Sequence, residues 1–341
     1  LGNRSLAELN STAHRELLAA TQQQIADPAP ASLLGGDGPL WYRGSAACHP
    51  LLERPVLHRQ LANLSAQRLV IGHTPTPNRR VRVRLDEGVY VIDTGMLKSV
   101  YRGQPYLLAL PAENGITRDV VTLDADRNRT EPLWWHPLLV VPPEAENALV
   151  QEVIGGGSVS GEWVRASKKE VMRQQALWRL DRELGLWMTP TTVADVPGKR
   201  YFHASRSAAG NWITERERRK TGRHYENYCS DGHQNLLISA FDALTGVTSR
   251  GVDTLLVHAA TGVVRLVPIK GAFSISTTLP RYASAPTLPT ALADRLEQLD
   301  AARTQELLGD VLTARQIKAL LQRRDKILQW PRTTPTIEPA P

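Results

Sequence analysis

The sequence predicts a mixed α/β protein, α+β overall, built as two domains. Three observations carry that expectation. The chain has 341 residues, 42% hydrophobic and 22% charged, enough to bury a sizeable core and more than a single core of average size uses. Its N-terminal part interleaves short β-type apolar runs with helical stretches, whereas apolar positions recur at helical spacing almost throughout from residue 292 onward. Between the two lies a segment dense in Pro and Trp, including Pro132, Trp134, Trp135, Pro137, Pro142 and Pro143, which breaks both patterns.

Leu6, Leu9, Ala13, Leu17 and Leu18 predict a helix over residues 6–26, stopped by Pro28. A Gly- and Pro-rich loop over 34–39 then leads through Trp41-Tyr42-Arg43 to a helix over 51–67. Residues 68–71 predict a buried strand ending in Gly72-His73-Thr74-Pro75, and such a strand delivers its histidine to the carboxyl edge of the sheet, where α/β folds place their sites. Val81-Arg82-Val83-Arg84-Leu85, the turn Asp86-Glu87-Gly88 and Val89-Tyr90-Val91-Ile92 read as a β-hairpin. Further strands are expected over 106–110 and 120–123. Beyond the Pro/Trp-rich segment come Gly155-Gly156-Gly157, a strand around Trp163, and a helix over 168–184 with Val171, Leu177, Leu180 and Leu184 on one face. Helices over 292–299, 305–312 and 314–329 close the chain, the last opened by the capping box Thr313-Ala314-Arg315-Gln316. The expected organisation is a first domain over 1–112, a connection over 113–148, a second, mostly helical domain over 149–330, and a disordered tail over 331–341.

No run of eighteen or more apolar residues occurs, so no transmembrane helix is expected. Leu1 in place of Met and a polar opening stretch lead to the expectation that an upstream portion is missing. Cys48 and Cys229 are too few for a disulfide framework or a cysteine-built zinc site, and a cytoplasmic, reducing compartment is the plain expectation. The net charge of +7 raises nucleic acid as a partner. Its densest clusters, residues 79–84 and 216–223, lack interleaved aromatic platforms, so solvated basic faces or a phosphate-seeking site are preferred and nucleic acid is not expected.

Three motifs occur in order: Gly38-Pro39-Leu40-Trp41-Tyr42-Arg43, Val70-Ile71-Gly72-His73-Thr74-Pro75, and Val91-Ile92-Asp93-Thr94-Gly95-Met96, followed by Tyr101-Arg102-Gly103-Gln104-Pro105. The series resembles the C-terminal part of calcineurin-like metallophosphoesterases, closest to the bacterial-type branch of the phosphoprotein phosphatases, over roughly residues 1–110. The resemblance implies part of a metallophosphoesterase β-sandwich with flanking helices, and a hydrolase that attacks phosphomonoesters or phosphoproteins with metal-activated water. In such sites two divalent ions, here Mn, Fe or Zn, lie about 3.5–4 Å apart and share the attacking hydroxide. His73 matches the family's late metal ligand, a role suited to neutral imidazole. Arg43 matches the arginine that clamps the phosphate through its planar fork of donors. The plain alternatives are a loop histidine hydrogen-bonded after its strand and an arginine in a surface salt bridge. Asp93 is expected to hold the turn after its strand by an Asx-type bond. The family's early Asp-x-His, Gly-Asp-x-x-Asp and Gly-Asn-His motifs do not occur ahead of this series. No residue is therefore assigned a catalytic role, and the chain alone is expected to be inactive as a phosphatase. The implied partners are a phosphorylated substrate, such as a phosphoprotein, and the missing N-terminal part of the phosphatase domain.

A second resemblance, to atypical kinases related to the phosphatidylinositol and secretory-pathway kinases, spans about residues 155–273. It rests on the glycine run, on Leu180-Asp181-Arg182-Glu183-Leu184-Gly185-Leu186 through Met188-Thr189-Pro190, on Phe241-Asp242-Ala243-Leu244-Thr245-Gly246, and on Gly271-Ala272-Phe273. Where that family carries its catalytic loop this chain reads Ser249-Arg250-Gly251-Val252-Asp253-Thr254, and no carboxylate precedes Ala272-Phe273. Phosphoryl transfer depends on those carboxylates, so the resemblance implies a pseudokinase, a nucleotide- or protein-binding regulatory module for which ATP with Mg is not an expected cofactor. Gly155, Gly156 and Gly157 are the candidate phosphate cradle, with Lys168 or Lys169 reaching the nucleotide and Glu170 pairing the lysine. The alternative is a turn followed by a solvated helix start. His224, Asp231, Cys229 and His233 fit no common zinc spacing and read as ordinary loop residues.

Overall fold

A computed structural model describes residues 6–19, 42–76, 79–110, 121–124, 126–130, 133–134, 162–165, 167–189, 201–204, 212–221, 231–258, 264–267, 269, 271–281 and 286–333. The chain is a mixed α/β protein with two compact units, residues 1–135 together with 334–341, and residues 136–333. Among the described residues no helix is long and apolar enough to cross a membrane.

In the first unit, helix α1 spans Leu6–Ala19, α2 Gly44–Ala47 and α3 Pro50–Asn63. The start of α3 is set by Pro50 at its first position and by His49, whose Nδ1 accepts from the Leu51 N–H at 3.1 Å. Strands β1 (Leu69–Ile71), β2 (Arg82–Arg84), β3 (Val89–Val91) and, further along, β7 (Leu133–Trp134) form one sheet in the order β1-β3-β2-β7. β2 and β3 are the expected hairpin, with Val83 opposite Tyr90, and β1 joins β3 in parallel. β7 pairs with β2 and lies inside the Pro/Trp-rich segment. A second, antiparallel sheet contains β4 (Leu107–Ala109), β5 (Val121–Leu123) and β6 (Arg129–Thr130). Ala46, Leu57, Leu85, Val89 and Val91 form the core between α2, α3 and the first sheet, with Leu61, Leu69 and Ile71 packed around them.

The hairpin holds a finding that alternation alone does not reveal. Arg82 and Arg84 are 5% and 2% exposed, so the basic positions of β2 point inward. Burial, with repulsion from Arg84, pushes Arg82 down to about 9, and burial pushes Arg84 down to about 10 against the pull of Glu53.

In the second unit β8 (Glu162–Arg165) and β9 (Tyr201–Ala204) pair antiparallel around α4 (Lys168–Glu183) in sequence. β10 (Trp212–Thr214), α5 (Glu215–Thr221), α6 (Asp231–Thr245), β11 (Leu255–His258) and β12 (Val264–Leu266) follow, the three strands forming an antiparallel sheet. β13 (Leu288–Pro289), α7 (Thr290–Gln298), α8 (Ala301–Leu308), α9 (Ala314–Ile327) and β14 (Arg332–Thr333) complete the unit. β14 pairs in parallel with β13, so the first residues of the expected tail belong to a sheet; residues 334–341 lie outside the described residues. α8 begins earlier than its apolar spacing suggests because the Asp300 carboxylate caps it, accepting from the Arg303 N–H at 2.7 Å.

α6 and α9 pack together around Phe241, Leu244, Leu320 and Ile327, all at most 1% exposed. Arg323 of α9 is fully buried in the same place. Its Nε donates to Leu244 O at 2.9 Å and its Nη1 to Ser274 O at 3.0 Å and to Ser276 O. The cation thus sits at the carboxyl end of α6, where the helix leaves unpaired carbonyls and partial negative charge. Burial still pushes its pKa down to about 10. Nearby, Arg250 grips Asp242 through two bonds of 2.6 and 2.7 Å, the side chains being 8% and 10% exposed. Burial raises the Asp242 carboxyl, and Arg250 opposes the rise. Arg250 also donates to Val267 O at 2.9 Å, but without the carboxylate its charge is left buried and unbalanced, so Asp242→Ala is expected to lower the unfolding free energy by about 3–5 kcal/mol. Urea unfolding of this variant beside Asp242→Leu/Arg250→Met, which removes both charges and should recover most of the loss, measures the effect.

Candidate functional site

Arg43 and His73 are 30 positions apart, and the fold brings them together. Arg43 is the N-cap residue of α2, and its carbonyl accepts from Ala46 and Ala47 N–H, both at 2.9 Å. The residue is 6% exposed. Its Nη1 donates to Tyr42 O at 3.3 Å and its Nη2 to His73 O at 3.4 Å. The guanidinium therefore lies against the loop that follows β1.

His73 stands on that loop with φ +55°, a left-handed conformation disfavoured for any residue with a Cβ. The loop is fixed from below. Thr74 and Thr76 are buried, Thr76 N–H donates to Asp93 O at 2.8 Å, and Thr76 Oγ1 donates to Arg80 O at 2.9 Å. With its neighbours anchored, His73 is left exposed at the carboxyl edge of the sheet. The loop after β3 is strapped in the same way: Asp93 Oδ1 accepts from Gly95 N–H at 2.9 Å, the Asx-type bond expected from sequence, and Thr94 Oγ1 donates to Gln104 O at 2.7 Å. Gly103 N–H reaches Gly95 O at 3.1 Å, an approach so close that a Cβ on Gly103 would collide with Thr94 O.

Behind Arg43 lies a buried polar cluster that sequence reasoning missed. Glu53, 1% exposed, accepts from the Tyr42 hydroxyl and, at 3.2 Å, from Ser45 Oγ. Arg84 donates to Ser45 O and Cys48 O, fastening β2 to the carboxyl end of α2. Gly44 lies against this pair, and a Cβ there would overlap both the Tyr42 hydroxyl and the Glu53 carboxylate. The available signal was Glu53 itself, a carboxylate between the apolar pairs Leu51-Leu52 and Val56-Leu57 of one helix.

Among the described residues no group of three or more His, Cys, Asp or Glu side chains could hold a metal ion. One imidazole does not make a dinuclear centre, so the donors described in this chain do not fit the pair of ions that the motif series implies. The single Asp-x-His triplet in the sequence, Asp231-Gly232-His233, lies at the start of α6 in the second unit.

In the second unit Lys168 is exposed in the first turn of α4. Glu170 closes a capping box, its Oε2 accepting from Ser167 N–H at 3.0 Å and Ser167 Oγ at 2.8 Å. Asp253 is held by Arg216 through bonds of 2.5 and 2.7 Å on the surface. Phe273 is buried with φ +58°, its N–H donating to Thr245 O at 2.6 Å. Gly155, Gly156, Gly157, His224 and Cys229 lie outside the described residues.

The conformation of His73 predicts an ordering of variants. His73→Gly should be more stable than His73→Ala by about 1 kcal/mol, because glycine adopts positive φ without the Cβ penalty. Thermal unfolding of the two side by side reads the difference, and equal midpoints would contradict it. No protein-family model matches the chain, and neither does any curated protein.

Proposed function

We propose that the first unit is one wall of a metal-dependent phosphoesterase site, in which Arg43 binds the phosphate and His73 donates to a metal whose remaining ligands lie outside the described residues. The observation that carries this reading is the meeting of Arg43 with the His73 loop at 3.4 Å across a separation of 30 residues. The order of the motif series and the exposed position of His73 at a sheet edge support it. On this reading the chain alone carries no catalytic residue, its finer architecture is part of a metallophosphoesterase sandwich, and its substrates are phosphomonoesters or phosphoproteins. A guanidinium held against the loop that carries an exposed histidine also suits binding of a phosphate oxyanion without hydrolysis. Orthophosphate titrated into the whole chain should shift the NMR signals of His73, and Arg43→Ala should weaken the affinity about tenfold. Added Mn should broaden the same signals, while p-nitrophenyl phosphate stays intact. Phosphate and Mn effects that bypass residues 43 and 73 would sink the assignment.

A second reading concerns the other unit, as a pseudokinase-type module that binds a nucleotide or a protein and regulates its neighbour. Both carboxylates near the segment aligned with a kinase catalytic loop, Asp242 and Asp253, are engaged by arginines, which favours binding over phosphoryl transfer. The whole chain is expected to show no Mg-dependent ATP hydrolysis. Turnover abolished by Asp253→Ala would overturn this reading.

A further inference from the structure

Glu53 of the first unit is a buried carboxylate, 1% exposed. Carrying a carboxylate out of water is unfavourable by several kcal/mol unless its oxygens are bonded and its charge is balanced. Here both oxygens are bonded, one by the Tyr42 hydroxyl and one by Ser45 Oγ. Arg84 supplies the opposing charge, and Glu53 also lies in the first turn of α3, where the helix N-terminus favours an anion. An apolar side chain of similar volume would fill the place with none of these provisions. The partners of Glu53 are more informative than its burial. Tyr42 precedes Arg43, Gly44 follows it with its Cα against the carboxylate, and Ser45 comes next.

We infer that Glu53 is a positioning residue for Arg43, an inference that rests on the phosphate-binding reading of Arg43 for its functional meaning. The carboxylate holds the chain on both sides of residue 43. Arg84, anchored on Ser45 O and Cys48 O, closes the far end of the same short segment. Residue 43 is thereby fixed as the N-cap of a helix of four residues, a length with no stability of its own. Its guanidinium donates to Tyr42 O and His73 O, so its direction follows from where residue 43 is held. In this arrangement Glu53 never meets a bound anion. It acts by keeping the donor fork of Arg43 from swinging into solvent, so an anion meets it already oriented.

The test follows the Arg43 Nε–H resonance of the whole chain, assigned with Arg43→Lys, by its exchange with solvent, alongside orthophosphate affinity. Glu53→Ala should speed Nε–H exchange by about tenfold and weaken phosphate by a similar factor. Glu53→Gln, which keeps the shape and one acceptor, should recover at least part of both. Leu57→Ala loses core packing on the same helix without touching the cluster, and should leave both readouts within about twofold of wild type. Should Glu53→Ala fail to fold, Tyr42→Phe removes a single hydroxyl and is expected to raise the exchange rate by about threefold. The inference is overturned if Arg43 stays protected in the carboxylate and hydroxyl variants, or if Leu57→Ala exposes it equally. A protected Arg43 in a wild-type chain that ignores phosphate would instead overturn the functional reading and leave the positioning role standing.

Discussion

Arginine turned inward onto backbone carbonyls is the constraint on which both units depend. In the first unit Arg84 reaches from β2 to Ser45 O and Cys48 O, so one side chain fixes the sheet to the carboxyl end of α2. In the second, Arg323 ties α9 to the end of α6 and to the loop at Ser274 and Ser276. Arg324 adds a bond to Leu299 O. Each guanidinium offers five donors in a planar fork, and carbonyls at helix ends and in loops are the acceptors that lack partners. The match satisfies several buried polar groups with one residue. It also places a cation in low dielectric, which is why burial lowers the pKa of Arg84 and of Arg323 alike.

This arrangement changes what the basic composition means. A net charge of +7 suggests a polyanion as partner when the charges lie on the surface. Here Arg43, Arg82, Arg84, Arg265 and Arg323 are all under 9% exposed, and Arg216, Arg218, Arg219, Arg250 and Arg303 are engaged by carboxylates. Ten arginines among the described residues therefore serve the interior or local ion pairs. The cluster over 216–223 is the clearest case, because Glu215 alone accepts from two of its arginines and Asp253 from a third.

The same fact marks the limit of what was legible in the sequence. Helices α4 and α9 were readable because their apolar positions share one face and, for α9, because Thr313 and Gln316 form a capping box. The β2–β3 hairpin was readable from its turn and alternation. The direction of that alternation was not, since a rule that sends charge outward misassigns Arg82 and Arg84 when carbonyl acceptors lie inside. β7 and β14, two residues each, have no period to detect and exist through pairing with β2 and β13. At the candidate site, Arg43, His73 and the Asx turn at Asp93 were visible as motifs. Glu53 was hidden, because its role arises from contacts to residues 42, 44 and 45 that only tertiary structure supplies.

Two devices divide the work at the Arg43–His73 meeting. Behind Arg43 a bonded buried charge restricts the chain, and behind His73 a left-handed residue is held by buried threonines on the following positions. Each device is unfavourable taken alone, the first through desolvation and the second through about 1–2 kcal/mol of backbone strain. Both persist because the surrounding bonds over-determine the geometry: Thr76 to Asp93 O and Arg80 O on one side, Tyr42 and Ser45 to Glu53 on the other. Strain and buried charge thus converge where the Arg43 guanidinium meets the backbone of His73.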